Sequence, residues 1–421
     1  MQNSFSDQQH QEIAEKQYDN LKVGKDVYIG EDASTKIGYV SKVVNNKETG
    51  EQTYIVTDKK LPANPTSKDL ESVTSVTVLY RGSTAPGVNA VNPWDPNHSD
   101  VWMDWKDNDV PIAKQILTNN FTGPTPQLAS SANTLNEQMA LYKNAYFDIY
   151  GHSLGSMNGQ YAISASDYPE RIRSAYLYQG PNIYGLLTDD QKKQADKLRE
   201  RIFNYVDMKD YIPIGYDLKG IGIIIPVDSK EDVGLIDRHM WGGYVYDKHG
   251  NLRVAQGKMI AVRTAQTKIF IQGQLNTLEL LERKLKASGG GLSSSEKIFL
   301  DSQRVLAIVN GIYQLVEQAI QDLETEYNKE ISDIEGLWEE TLTTARNVGA
   351  HLGEGEILSA LSAGGCTQST LVTEPISDLK SDFSEVEAIG ADFVSLANQI
   401  QSSVAQQLAT DQELASQVGI A

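Results

Sequence analysis

The stretch YFDIYGHSLGSMNG, residues 146–159, decides how this chain is read. Its opening, YFDIY, has the aromatic and β-branched character of a strand. Its end continues into SMNGQYAISAS, which reads as a helix built from small residues. Between them stands Gly151-His152-Ser153-Leu154-Gly155, a Gly-x-Ser-x-Gly pentad. A serine placed on a sharp strand-to-helix turn needs neighbours without a Cβ, because the flanking backbones come close together. The pentad alone arises by chance in a chain with 33 glycines, so its surroundings carry the assignment.

Around the pentad, residues 1–250 alternate strands and helices. Ser6 and Gln9 have the spacing of a capping box that opens a first helix. IGYVSKVV and QTYIVTD flank Asn45–Gly50 and read as a hairpin. VTSVTVLYRG, NAYFDIYG, SAYLYQG and RIFNYVD read as further strands, with helical stretches at 156–166 and 189–199. This alternation predicts an α/β domain with a largely parallel sheet.

From about residue 260 the grammar changes. Ile271, Leu275, Leu278 and Leu285 recur at helical spacing. So do Val305, Ile308, Ile312, Leu315, Ile320, Leu323, Tyr327, Ile331, Ile334, Trp338 and Leu342. After the glycine-rich NVGAHLGEGEILSALSAGG comes a third series: Ile376, Leu379, Phe383, Val386, Phe393, Ile400, Val404 and Leu408. Steps of three and four predict one buried face per helix, and so an elongated all-α hairpin or bundle. The expected domains are 1–255 and 256–421.

The 421 residues carry 37 basic and 56 acidic side chains, a formal charge of −19. Nucleic acid is excluded as a partner on that balance, and so is a polybasic grip on anionic lipid. No apolar run is long enough to span a membrane. The first twenty residues have no apolar core of a cleavable signal, so the expectation is a cytosolic chain or one exported in folded form. The single cysteine, Cys366, excludes an intrachain disulfide and reads as an inert thiol.

A serine nucleophile requires a base and an orienting acid, which follow it in the order acid, then histidine. RIFNYVDMKDYIPIG offers Asp207 and Asp210, with the latter held before Tyr211-Ile212-Pro213. Of six histidines, only His239 and His249 lie at the right place in that order, and His249 sits in what reads as an exposed turn. The residue after the nucleophile, Leu154, supplies an oxyanion-hole N–H in such elbows.

Four pieces in order carry a resemblance. VTVLYRGST, GHSLGS, DMKDYIP and DRHMWGGY, spread over residues 70–245, resemble the strand, elbow, acid and histidine segments of the class 3 (fungal-type) lipase family. The resemblance implies an α/β-hydrolase fold with Ser153 as nucleophile, Asp210 as acid and His239 as base. It places Ser83 beside Leu154 in the oxyanion hole. It implies hydrolysis of acyl esters without a cofactor or metal. The family's His-Gly-x-x-Tyr pattern is altered here to His239-Met-Trp-Gly-Gly-Tyr244.

PGVNAVNPWDPNHSDVWMDW stands where that family has its lid, and Trp94 and Trp102 give it an apolar side; a packed surface loop is the alternative. Its aspartates, among them Asp95, Asp100 and Asp104, lack EF-hand spacing, so a solvated acidic loop is favoured over calcium. GIGIIIPVD reads as a buried edge strand rather than a loop at the catalytic mouth.

A lipase followed by a long helical half resembles the reverse-ordered LXG effectors of the Gram-positive type VII secretion system. That likeness implies a secreted antibacterial phospholipase A acting on target-cell membranes. It also implies small helical accessory proteins on the C-terminal domain and an immunity protein on the lipase domain. Tyr313 and Glu317 resemble the Tyr-x-x-x-Asp/Glu export motif, whereas Trp338 in the helical half is followed by Glu339-Glu340 and makes no Trp-x-Gly turn. The alternatives are a carboxylesterase with no toxin role and a binding scaffold whose hydrolase-like half is inactive.

Overall fold

A computed structural model describes residues 5–82, 115, 122–216, 219–255, 259–287 and 291–417. The chain divides into two compact units, Met1–Ala265 and Gln266–Ala421.

The first unit is built on an eight-stranded sheet whose spatial order follows the chain, β1 to β8. The strands are β1 (Asp26–Ile29), β2 (Thr35–Asn45), β3 (Gln52–Thr57), β4 (Ser75–Tyr80), β5 (Tyr146–His152), β6 (Ile172–Tyr178), β7 (Ile202–Val206) and β8 (Ile223–Pro226). From β4 to β8 every pairing is parallel. From β1 to β4 every pairing is antiparallel, so the sheet is mostly parallel, as expected, with an antiparallel β1–β4 part at one side. The reason is local: the short 46–51 turn permits an antiparallel return, whereas parallel neighbours need a crossover of a dozen or more residues.

Helices α1 (Asp7–Glu15), α2 (Ser67–Ser72), α3 (Pro126–Leu141), α4 (Leu154–Ser164), α5 (Asp189–Lys197) and α6 (Leu235–His239) accompany the sheet. The Ser6–Gln9 capping box forms and opens α1. α4 is buried at every residue, which explains its small side chains: Gly159 faces Leu177 and Ile149 where a Cβ would not fit. Ile149, Phe147, Leu177, Ile163 and Leu135 are fully buried in the core between sheet and helices. β8 stands last in the sheet order beside β7; its Ile225 is buried, as is Ile221 just before the strand.

The second unit is helical among its described residues. It holds most of α7 (Met259–Ala287), then α8 (Ser294–Val348), α9 (Glu354–Ala363) and α10 (Glu374–Gln417). The glycine-rich segment 347–365 contains the ten-residue α9. α8 and α10 run antiparallel: Asn310 meets Gln401, Gly390 faces Ile320, and Tyr327 stacks on Phe383 at 4.5 Å between ring centroids. α7 and α8 also run antiparallel, with Gly311 against Ile271 and Arg304 paired to Glu282.

The expected single buried face per helix needs correction. In α8 the side chains of Val305, Ile308 and Ile312 are exposed, while Leu300, Ala307 and Val309 are buried. In α10, Phe393 is exposed with Ile389 and Leu396, while Ala397 and Val404 are buried. Each helix carries two apolar lines, and its neighbours in the unit cover one.

Candidate active site

β5 ends at His152 and α4 begins at Leu154, which leaves Ser153 alone in the turn. Its backbone takes φ 56° and ψ −126°, a conformation that costs a non-glycine residue on the order of 1–3 kcal/mol. Hydrogen bonds hold it there. The Ser153 N–H donates to the Tyr178 carbonyl at 2.9 Å, and the Ser153 carbonyl accepts from Ser156 N–H at 3.0 Å. The flanking glycines are required sterically: a Cβ at Gly151 would collide with the Gly155 carbonyl, and one at Gly155 with the Tyr80 carbonyl.

His239 closes α6, and its Nε2 lies 2.9 Å from Ser153 Oγ. Its Nδ1 lies 2.6 Å from Asp210 Oδ2. A carboxylate only accepts, so the proton of the neutral ring is on Nδ1 and the free lone pair on Nε2 faces the serine hydroxyl. Asp210 is 8% exposed. Its other oxygen accepts from Ile212 N–H at 3.0 Å, which fixes the carboxylate within its own loop. Hydroxyl, imidazole and carboxylate thus stand in series, joined from three points up to 86 residues apart.

Asp207, the other carboxylate considered, faces elsewhere. It is fully buried and accepts from Lys209 N–H, and its second oxygen lies 3.4 Å from Arg238 Nη1. Arg238 also donates to Ser229 Oγ and the Glu231 carbonyl. Asp207 therefore anchors the residue next to His239 rather than the ring itself. His249 is exposed in the Asp247 turn, away from this cluster.

Leu154 is the first residue of α4, so its N–H has no carbonyl to bond within the helix and stands next to Ser153. On the other side, Gly82 closes the described part of the β4 segment, and its N–H is committed to Gln17 Oε1 at 3.0 Å. Ser83, Trp94, Trp102 and the aspartates 95–109 lie outside the described residues. Among the described residues, no group of three His, Cys, Asp or Glu side chains is placed to hold a metal.

Four side chains around the cluster were not legible beforehand: Gln17, Tyr18, Arg238 and Trp241. The His152 ring is fully buried. Its Nε2 lies 2.7 Å from the His239 carbonyl oxygen and its Nδ1 2.6 Å from Tyr18 Oη. Burial, and secondarily the nearby His239 ring, holds its pKa well below the ordinary histidine value. Trp241 covers this ring at 4.1 Å between centroids. Its φ of 64° is the left-handed value usually given to glycine after a helix. That left-handed turn precedes the contact of the indole with the His152 ring. Beside the cluster, Met208, Tyr211, Ile212 and Ile236 are exposed, at 65%, 78%, 38% and 61%. Each lies within three residues of Asp210 or His239.

No known protein-family model matches the chain, and a search of curated proteins finds no match either.

Proposed function

We propose that the first unit is a serine ester hydrolase of the α/β-hydrolase type, and that its substrates are acyl glycerols or phospholipids presented at an interface. The observation that carries the reading is the unbroken series Asp210–His239–Ser153 on a strained turn. In the proposed reaction Ser153 Oγ attacks the ester carbonyl while His239 Nε2 takes its proton. Asp210 holds the ring in the required tautomer and stabilises the imidazolium. The Leu154 N–H faces the oxygen that becomes negative, a contribution on the order of 3–4 kcal/mol per donor in other hydrolases. His239 then protonates the leaving alcohol, and a water activated by the same ring releases the acid from Ser153.

The apolar fringe of Met208, Tyr211, Ile212 and Ile236 supports a lipid substrate. It gives the mouth a surface that gains free energy by leaving water, roughly 25 cal/mol per Å². A chain of charge −19 has no basic excess with which to seek anionic headgroups, so contact is proposed to be hydrophobic and only weakly salt-dependent. The resemblance to class 3 lipases points to the same chemistry.

For the helical unit we propose a recruiting role, with small helical proteins laid along α8 and α10 and type VII export of the whole as an antibacterial toxin. The exposed lines Val305-Ile308-Ile312 and Ile389-Phe393-Leu396 support partner binding, because helix-in-groove contacts use this spacing. The test of the enzymatic reading is hydrolysis of phospholipid vesicles by the wild-type chain and by Ser153→Ala. Release of fatty acid by the first and not the second is expected. Equal release by both overturns the reading.

A further inference from the structure

Catalysis by an Asp–His–Ser series depends on where the imidazole is held, and a ring closing a five-residue helix needs help from outside that helix. The help comes from the far end of the chain. α1 is followed by a single helical turn at Lys16–Tyr18, which delivers Gln17 and Tyr18 to the end of β5. Gln17 is fully buried. Its Oε1 accepts from Gly82 N–H at 3.0 Å and lies 3.4 Å from His152 N, so one amide ties together the ends of β4 and β5. Tyr18 reaches the His152 ring itself.

The hydrogen-bond directions follow from chemistry. The His239 main-chain oxygen only accepts, so His152 Nε2 must carry the proton. Nδ1 of the same neutral ring is then an acceptor, and Tyr18 O–H donates to it. The hydroxyl thereby selects the tautomer that grips His239. The His152 ring also lies 4.7 Å from the His239 ring and is clamped by Trp241 on another side. The motif histidine, fully buried, therefore contacts the base by its main chain and by its ring face.

We propose that Tyr18 and His152 form a positioning brace, in which Tyr18 O–H fixes His152 as the Nε2–H tautomer and that N–H holds the main chain of the base His239. This rests on the reading of His239 as the base. Neither residue meets the reacting atoms. They act by keeping His239 Nε2 aimed at Ser153 Oγ, where misplacement by about 1 Å can cost on the order of 10²-fold in rate.

The experiment compares the full-length chain with Tyr18→Phe, His152→Phe and His152→Gln. Glutamine places its amide nitrogen as many bonds from the main chain as Nε2 of histidine, so it can donate to the His239 carbonyl. Fluorophosphonate labelling rates, kcat and KM on a short-chain ester, thermal melts and the downfield proton resonance of the Asp210–His239 bond are recorded. A kcat about 10-fold lower is expected for Tyr18→Phe and about 100-fold lower for His152→Phe, with KM within about twofold. The downfield resonance is expected to broaden or vanish in His152→Phe, and His152→Gln is expected to regain much of both. Wild-type kcat and resonance in folded Tyr18→Phe and His152→Phe would overturn the brace. So would His152→Gln as impaired as His152→Phe at equal stability. Should His152→Phe fail to fold, Tyr18→Phe and His152→Gln decide by the same readings. A wild-type chain that does not label removes the hydrolase reading, while the resonance still reports on the brace.

Discussion

The two units spend polar and apolar side chains in opposite ways. In the α/β unit polar groups are drawn inward and joined over long chain distances: Asp7 meets Arg263, Gln17 meets Gly82, and His239 meets Ser153. In the helical unit the capping boxes and many of the side-chain bonds are local, three or four residues apart, as at Ser293–Glu296 and Tyr313–Glu317. There the apolar residues are the ones left outside, with Leu323, Leu337, Ile389 and Leu396 all over two-fifths exposed. Specificity therefore lies in different places in the two units. Buried polar convergence fixes one geometry and suits chemistry, whereas an exposed apolar line suits a partner.

The α/β unit depends most on a single hydroxyl, that of Ser153. Ser153→Ala is expected to lower ester hydrolysis on the order of 10³–10⁶-fold with the melting temperature almost unchanged, as read by kcat/KM beside a thermal melt. Asp210→Asn comes next. An amide cannot stabilise the imidazolium, and turnover is expected to fall on the order of 10³–10⁴-fold. A mild effect at Asp210 would return the role to Asp207.

Asp207→Asn is expected to act on stability instead. It leaves the buried Arg238 guanidinium facing a neutral group, a loss of about 2–3 kcal/mol in denaturant unfolding, while labelling of Ser153 persists in the folded fraction. Acid sensitivity follows from His10, whose ring stacks on Tyr176 at 3.5 Å and bonds Tyr150 Oη. Burial pushes its pKa down to about 3 from 6.5, against the opposing pull of Asp7 and Asp148. Between those values the unfolded chain binds more protons than the folded one, so stability falls as pH drops below 6.5. About 2 kcal/mol of the loss between pH 6.5 and roughly pH 5 is assigned to this ring, and His10→Phe is expected to flatten the slope by that amount. The smallest effect belongs to the helical unit. Ile389→Ser with Phe393→Ser is expected to change unfolding free energy by about 0.5 kcal/mol or less, yet to weaken retention of helical partners on size-exclusion chromatography.

What could be read from the sequence follows the range of the forces involved. Strand composition, capping boxes and the three-and-four periodicity are local, and they foretold β4 to β7, α1 and the long helices. The glycines at 151 and 155 announced a crowded turn because their steric reason lies within the pentad and the strand beside it. Chain order narrowed the base to His239 or His249, and the Asp247-Lys248-His249-Gly250 turn signal set His249 aside, but the helix end that carries His239 to Ser153 is visible only in the fold. Tyr18 and Gln17 gave no signal, since nothing in KQYDN speaks of a partner 134 residues away. Which apolar line of α8 and α10 is buried was equally hidden, because both lines repeat at helical spacing and packing chooses between them.

The proposed hydrolase activity requires Ser153 to be an activated nucleophile. The most direct measurement treats the folded, full-length chain with a fluorophosphonate, then locates the adduct by peptide mass spectrometry. A single adduct on Ser153, absent from Ser153→Ala and strongly slowed in Asp210→Asn, is the predicted result. A folded chain that takes up no probe, or takes it up elsewhere and equally in Ser153→Ala, would contradict it.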